Sequence, residues 1–304
     1  MIGHAFTLKQ LEALVWVADL GSFRKAAAHL NTTQPNISSR IAGLEETLGV
    51  VLMQRDAGAV RLTDKGREIL AAARETLRQA EQLVTVVDRP DLIADRLRLG
   101  VTELVACTWL HAYLRALKSA YPGVTVELTV DLSRNLDKEL SGRALDLTVQ
   151  TAPFASPASG VVELGDFPYV WVGTKAILSG LPDCPVVADL LPHSVLTHAR
   201  HTQAYQELTD HAAANGLSMA RIAPSNSMAS CVQMAQDDMG VALLPLALVE
   251  NEIAEGSLQV ADVDWHPSPL RFAARYQAER VAPYVARCAA LAIDALADYQ
   301  KARG

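Results

Sequence analysis

Within seven residues the chain sets out Gln34, Asn36, Ser38, Ser39 and Arg40. Gln and Asn amides both give and take hydrogen bonds, so each can bond an adenine bidentately, while Ser hydroxyls and an Arg guanidinium can hold phosphate oxygens. Thr32 and Thr33 precede Gln34-Pro35, and a proline in a first helical turn loses no bond that the helix needs. A helix starting here would also aim free backbone N–H groups and a positive dipole end at an anion. Ile37, Ile41, Leu44 and Leu48 recur at helical spacing, which turns the polar residues outward. Such a face is either a nucleic-acid reader or the solvated side of a small helical domain, and the flanking elements must decide.

Upstream, Leu8, Leu11, Leu14, Val15 and Ala18 follow Thr7 at helical spacing, and Gly21 stops that helix. Ser22 then caps a second helix with Phe23, Ala26, Ala27 and Leu30 on its apolar stripe. The second and third helices are short and joined by a tight turn, a helix-turn-helix arrangement. Gly49 ends the third helix. Val50–Met53 and Val60–Leu62 flank the turn residues Asp56-Ala57-Gly58-Ala59, which predicts a two-stranded wing with Arg55 at its start. Arg24, Lys25, Arg40, Arg55, Arg61, Lys65 and Arg67 give this region seven cations against four acids. The local surface is therefore basic, which favours the nucleic-acid reading.

Charge over the whole chain points the other way. The net charge is −7, and phosphate repels an acidic surface. Residues 1–87 nevertheless hold ten Lys/Arg against nine Asp/Glu, whereas residues 88–304 hold seventeen against twenty-five. The acidity belongs to the second part, and such asymmetry is itself a cue to two different tasks.

From Asp64 a long helix is predicted, its apolar seam running through Ile69, Ala73, Leu77, Ala80, Val84 and Val87. At 1.5 Å per residue it is about 36 Å long. A seam of that length on a tiny domain fits pairing with a second copy of the chain, the alternative being packing on its own downstream domain. Asp88–Asp91 reads as a hinge after it.

The remaining sequence alternates strand and helix. Leu97–Thr102, Val124–Leu132 and Leu145–Gln150 read as strands, with helices at about 104–121 and Arg134–Ser141 between them. A second set follows: strands Tyr169–Gly173, Ser194–His198 and Gly240–Leu244, with helices near Thr202–Asn215 and Ser227–Asp238. Pro269–Gln277 and a helix over Arg280–Lys301 return the chain to the first set. Open α/β sheets bind ligands beyond the carboxyl ends of their strands. That rule nominates Thr102, Glu103, Ser133, Gln150 and Thr151 in the first lobe and His198, Thr202 and Asn226 in the second, with Ser227 beside them. Each has a plainer alternative: Ser133 as a helix cap, His198 as a structural histidine, Glu103 in an ion pair, for which Arg134 is the nearest candidate. If Glu103 is a ligand residue, it would accept from an amine or hydroxyl.

Other classes of function leave few traces. Apolar runs are too short and too interrupted by charge for a membrane span. The first twenty residues carry Lys9, Glu12 and Asp19 with no small-residue cleavage site, so a cytoplasmic location is expected. The four cysteines, Cys107, Cys184, Cys231 and Cys288, form no close pairs of the kind metal or redox motifs require, and buried reduced thiols are the expectation. No His/Cys cluster, Gly-rich phosphate loop or Gly-x-Ser-x-Gly elbow suggests an enzyme or a cofactor. An exported solute-binding protein would share the two lobes but has no use for a DNA reader. A thiol switch using Cys184 and Cys231 is permitted by spacing and not otherwise indicated.

The stretch Leu8–Leu70 resembles the LysR-type transcriptional regulator family. The resemblance is carried by Phe23-(x)2-Ala26-Ala27, Gln34-Pro35, Ser38, Leu44-Glu45, Leu48-Gly49 and Leu62-Thr63, and the later domain order fits as well. It implies an α/β fold class with an all-α N-terminal part: a winged helix-turn-helix, a long linker helix, then two Rossmann-like α/β lobes of the periplasmic-binding-protein type. The expected boundaries are 1–63, 64–88 and 89–304, with one lobe over 97–160 and 267–304 and the other over 161–266. By position, the resemblance assigns DNA contact to Thr32, Thr33, Gln34, Pro35, Asn36, Ser38, Ser39 and Arg55, with the third helix in the major groove. It places a small-molecule effector between the lobes, with most support for Thr102 and Ser133. Double-stranded promoter DNA, self-association as dimer or tetramer, and RNA polymerase are the partners it implies, with no cofactor and no membrane.

Overall fold

The computed structural model describes residues 6–56, 59–86, 92–93, 95–279 and 281–302, with the backbone alone at Arg55, Asp56 and Ala59 and at Arg78, Glu81, Gln82 and 84–86. The chain opens with α1 (Leu8–Leu20), α2 (Phe23–His29) and α3 (Gln34–Leu48). Each start is chemically encoded. Thr7 and Gln10 form a capping box on α1, Ser22 accepts from Lys25 N–H on α2, and Thr33 accepts from Asn36 N–H on α3. α3 ends at Gly49, whose φ of +66° is the left-handed conformation that glycine adopts without a Cβ penalty. Leu11, Leu14, Ile37, Leu44 and Leu52 close a core of their own beneath these helices, each 4 % exposed or less. Fully burying each such side chain contributes about 1.5–3 kcal/mol.

The wing is β1 (Met53–Asp56) paired antiparallel with β2 (Ala59–Leu62). Its first strand begins at Met53, not at Val50 as the apolar run suggested. Glu45 of α3 takes the N–H groups of Leu52 and Met53 at 2.6 and 3.2 Å, so this stretch is bonded to the helix before it can pair as a strand.

α4 (Asp64–Val86) is the long helix. Gly66 lets its first turn lie against the wing, because a Cβ there would stand 2.1 Å from the Leu52 carbonyl oxygen. Leu70 and Ala73 are buried in the reader core, with Ile69 and Leu77 packed against it. The seam expected to face a second copy is thus partly consumed at home. Farther along, Leu83 is 69 % exposed. Val87 and the hinge at Asp88–Asp91 lie outside the described residues.

The first lobe contains β3 (Arg96–Val101), α5 (Glu103–Cys107), α6 (Leu110–Ala120), β4 (Thr125–Val130), α7 (Ser133–Ser141), β5 (Leu147–Thr151) and β6 (Gly160–Phe167). The second contains β7 (Tyr169–Gly173), α8 (Lys175–Leu178), α9 (Val187–Leu190), β8 (Val195–His198), α10 (Gln203–Ala214), β9 (Ile222–Ser225), α11 (Met228–Gln236), β10 (Val241–Pro245), α12 (Leu246–Ala254) and β11 (Gln259–Ala261). β12 (Leu270–Tyr276) and α13 (Pro283–Lys301) return to the first lobe. The sheet orders are β4-β3-β5-β12-β6 and β11-β7-β10-β8-β9.

Both sheets are mixed rather than wholly parallel, since β12 runs antiparallel to β5 and β6, and β7 antiparallel to β10 and β11. β6 hydrogen-bonds to β12 from Gly160 to Phe167, so the crossing between lobes falls at Pro168 and not at residue 161. The single helix expected over 104–121 is two, broken at Thr108, whose hydroxyl bonds back to the Leu104 carbonyl while Trp109 turns into the core at 1 % exposure. Of the cysteines, Cys231 and Cys288 are buried as expected of thiols, but Cys107 and Cys184 are exposed.

The reader docks on the first lobe through charge and aromatic contact. The Asp19 carboxylate on α1, 4 % exposed, accepts from Arg74 of α4 and from Arg143 after α7. Arg98 of β3 lies 5.7 Å from the centre of the Trp16 ring, whose centre is 3.5 Å from that of the His29 ring at a tilt of 37°. Burial first, and then the Arg98 charge, lower the His29 pKa to about 4, with Asp146 opposing. The unfolded chain therefore takes up this proton first, between pH 6.5 and about 4. In that window acidification favours unfolding. The urea midpoint should fall between pH 7 and pH 5, and the fall should shrink in His29→Gln. Glu12 and Asp95, raised by burial, act in the opposite sense, so the difference between wild type and variant is the quantity to read. An identical pH dependence in both proteins would remove His29 as a source.

Candidate DNA-reading face and effector cleft

The buried stripe of α3 settles which of its residues face outward. Ile37 and Leu44 are fully buried and Ile41 is 3 % exposed, whereas Thr33, Gln34, Pro35, Asn36 and Ser39 are exposed and Thr32 and Ser38 half-buried. Asn36 Nδ2 donates to Thr32 Oγ1 at 2.8 Å, holding the amide against the turn. Among the described residues no hydrogen bond engages the side chains of Gln34, Ser38 or Ser39. A helix end that presents an exposed Gln34 amide and the Ser38 and Ser39 hydroxyls in this way is equipped to bond to bases and phosphates. Arg55 lies on β1 opposite Val60, and its side chain is outside the described residues. Two of the cations counted in the sequence are engaged internally. Lys65 pairs with Glu68 at 2.6 Å, and Arg67 bonds Asp64 and the Leu62 carbonyl. Arg24 and Lys25 remain exposed on α2.

At the junction of the lobes the strand ends meet as the α/β rule requires, but their side chains are used in ways that spacing did not reveal. Thr102 follows β3, with its N–H on the Val149 carbonyl. Its hydroxyl is buried without a hydrogen-bond partner among the described residues and makes no capping bond to α5. Glu103 reaches across to the second lobe. Its Oε1 accepts from Ser227 Oγ at 2.8 Å and from Ala229 N–H at 3.3 Å, and its Oε2 from Met228 N–H at 2.6 Å. The alternative ion pair with Arg134 is not found among the described residues; a helix N-terminus takes the carboxylate instead.

Ser133 is not the cap of α7, a position held by Leu132 with no side-chain bond. Its hydroxyl shares a hydrogen with Thr151 Oγ1 at 2.8 Å and accepts from Thr151 N–H at 3.0 Å, which welds the end of β5 to the start of α7. Gln150 is fully buried and donates from Nε2 to Asp137 at 2.8 Å. Asp137 also receives Arg275 and the N–H groups of Ala155 and Ser156. Neither Asp137 nor Arg275 was singled out from the sequence, where they lie far apart on elements that show no shared pattern.

In the second lobe His198 ends β8. Its Nε2 is buried without a hydrogen-bond partner among the described residues, and burial lowers its pKa against the pull of Glu103. Thr202 caps α10, donating to the Ala199 carbonyl at 2.8 Å and accepting from Tyr205 N–H at 3.4 Å. Asn226 is exposed in the loop before α11. The fold therefore gathers Thr102, Glu103, His198 and Ser227 around the lobe junction. Ser133 and Thr151 bond to each other beside it, and Thr202 serves its own helix. The N-terminal turn of α11 is the feature sequence reasoning undervalued; Ser227 three residues before Ser230 was its only local sign.

Two family models match this chain. The LysR substrate binding domain matches residues 90–297, and the bacterial regulatory helix-turn-helix protein of the lysR family matches residues 8–67. A probable hydrogen peroxide-inducible genes activator of Streptomyces viridosporus is 30 % identical over 292 residues, covering 94 % of this chain and 93 % of its own. The HTH-type transcriptional activator AaeR of Escherichia coli K12 is 27 % identical over 303 residues, covering 96 % and 93 %. Among solved structures, ArgP from Mycobacterium tuberculosis superposes with a TM-score of 0.62 at 22 % identity, covering 94 % of this chain and 96 % of that one.

Proposed function

The chain belongs to the LysR family of transcriptional regulators, and from that premise we propose a division of labour among its residues. Thr32, Thr33, Gln34, Pro35, Asn36, Ser38, Ser39 and Arg55 contact promoter DNA, with α3 in the major groove. The effector, a small molecule, enters between the lobes, where Thr102, Glu103, His198 and Ser227 meet. Ser133, Gln150 and Thr151 support the first-lobe wall, and Thr202 and Asn226 lie toward the second. The observation that carries the DNA half of this reading is the N-terminal face of α3, where the side chains of Gln34, Ser38 and Ser39 make no hydrogen bond among the described residues.

The protein acts as a dimer or tetramer in the cytoplasm, where promoter DNA and RNA polymerase are found, and it is not an enzyme. Among the described residues no helix is long and apolar enough to cross a membrane. Two readers held by one oligomer address two half-sites. An effector that binds one arrangement of the lobes better than another shifts which half-sites are held.

A thiol switch is the other reading the relatives bring to mind, one of them being a probable hydrogen peroxide-inducible genes activator. A redox cysteine needs a lowered pKa. Burial pushes the Cys107 and Cys231 thiols up, and Cys288 to about 12. Cys231, one half of the Cys184 and Cys231 pair, is thus buried and held away from its thiolate, which favours the small-molecule reading.

A mobility-shift assay on the intergenic DNA upstream of the protein's own gene, at low and near-physiological salt, tests the proposal. The expected result is a discrete complex that outcompetes a scrambled duplex and weakens steeply with salt. Equal affinity for every duplex, there and in a genome-wide pull-down with candidate effectors added, would sink it.

A further inference from the structure

We propose that Glu103 is a built-in carboxylate seated in the anion site at the start of α11, so that the cleft takes an uncharged or cationic molecule and not a carboxylate. The inference rests on reading the cleft as the effector site.

Three donors of the second lobe converge on one carboxylate of the first: the Ser227 hydroxyl and the N–H groups of Met228 and Ala229. The first turn of a helix offers unpaired N–H groups and the positive end of the dipole, which suits an anion. Such a turn in a cleft is where a free carboxylate or phosphate would be held. Here the anion comes from the chain itself, carried by the first residue of α5. These bonds to a charged acceptor are of the stronger kind, and they tie α5 to α11 across the lobe junction. An incoming carboxylate meets spent donors and a like charge.

What the junction leaves unsatisfied is of another character. Thr102 Oγ1 is buried in a residue only 8 % exposed and has no hydrogen-bond partner among the described residues, and the same holds for His198 Nε2. A hydroxyl can give one hydrogen bond and take others, and a single nitrogen of a neutral imidazole gives or takes one. Unpaired buried groups of this kind are costly unless something bonds to them. A hydroxyl, amide or amine of a ligand would satisfy them without displacing Glu103, and an amine would gain from the carboxylate beside it.

The test is chemical replacement of the missing carboxylate. The full chain carrying Glu103→Ala is heated in rising sodium acetate, against sodium chloride of equal ionic strength. Acetate should raise the Tm of Glu103→Ala by several degrees and leave wild type and Glu103→Gln unmoved, because in both of these the seat is filled. No acetate effect on Glu103→Ala, or an equal effect on wild type, overturns the proposal. If Glu103→Ala cannot be purified, hydrogen exchange decides. The Met228 and Ala229 amides should exchange about tenfold faster in Glu103→Gln than in wild type, and unchanged exchange overturns the latch. A carboxylate metabolite that stabilises wild type and loses that effect in Ser227→Ala overturns the exclusion. Failure of the regulator reading itself would appear as the absence of preferred DNA, which none of these measurements uses.

Discussion

Asp137→Ala is expected to lower the unfolding free energy of the two-lobed domain by about 3–5 kcal/mol, the cost of leaving a buried charge without its partner. Asp137 and Arg275 are each 3 % exposed in their side chains, and the carboxylate also receives Gln150 and the N–H groups of Ala155 and Ser156. Removing it strands a guanidinium, a buried amide and two backbone donors at once. Arg275 also bonds the Ser156 carbonyl, and its guanidinium lies 4.0 Å from the centre of the Phe154 ring, so the loop after β5 loses its anchor too. Urea unfolding followed through the buried indoles of Trp109 and Trp171 would read the loss. Asp137→Asn keeps one acceptor and should lose less. The pair Asp137→Leu and Arg275→Met, which leaves no lone charge, should recover much of the stability. A loss below about 1 kcal/mol in Asp137→Ala would mean that water reaches the network.

Gln34→Ala should weaken binding to the specific operator by about 5–150-fold, the roughly 1–3 kcal/mol that a bidentate base contact carries. Gln34 is exposed at the first position of α3, so the fold should tolerate the change. Because no charge is removed, affinity for scrambled DNA and the slope of log K against log salt should stay as in wild type. Fluorescence anisotropy on both duplexes at two salt concentrations separates the terms. Equal weakening on both would make Gln34 a backbone contact rather than a base reader. Arg24→Ala on α2 is the contrasting variant: if it touches phosphate, it lowers affinity for both duplexes and reduces the salt slope by about one.

The reader domain was almost fully legible in the amino-acid order. Thr7, Ser22 and Thr33 act within three residues of themselves, Gly21 and Gly49 end the helices they follow, and Ile37, Ile41 and Leu44 share a face by helical geometry alone. Caps and amphipathic spacing are local, so a local reading recovers them. The wing was misjudged by three residues because Glu45, on another element, claims the Leu52 and Met53 amides. In the sensor, the alternation of strand and helix gave the two lobes and the strand ends that line their junction. It did not give the fifth strand of the first sheet, since β6 carries no signal saying that it pairs with β12 across a hundred residues of intervening chain.

Residue types at strand ends were thus determined by the sequence, and with them the kind of chemistry available: amides and hydroxyls on α3, and hydroxyls, a carboxylate and an imidazole between the lobes. Which of those groups remain free was decided only by tertiary structure. Glu103 finds the start of α11 at a separation of 124 residues, Ser133 finds Thr151, and Asp137 finds Arg275 at 138. The physical reason is that a polar side chain entering a low-dielectric interior must meet a partner of opposite character. The partner is supplied by whichever element the packing brings near, not by neighbours along the chain. Spacing shows what a residue can do, and packing shows whether it is still free to do it.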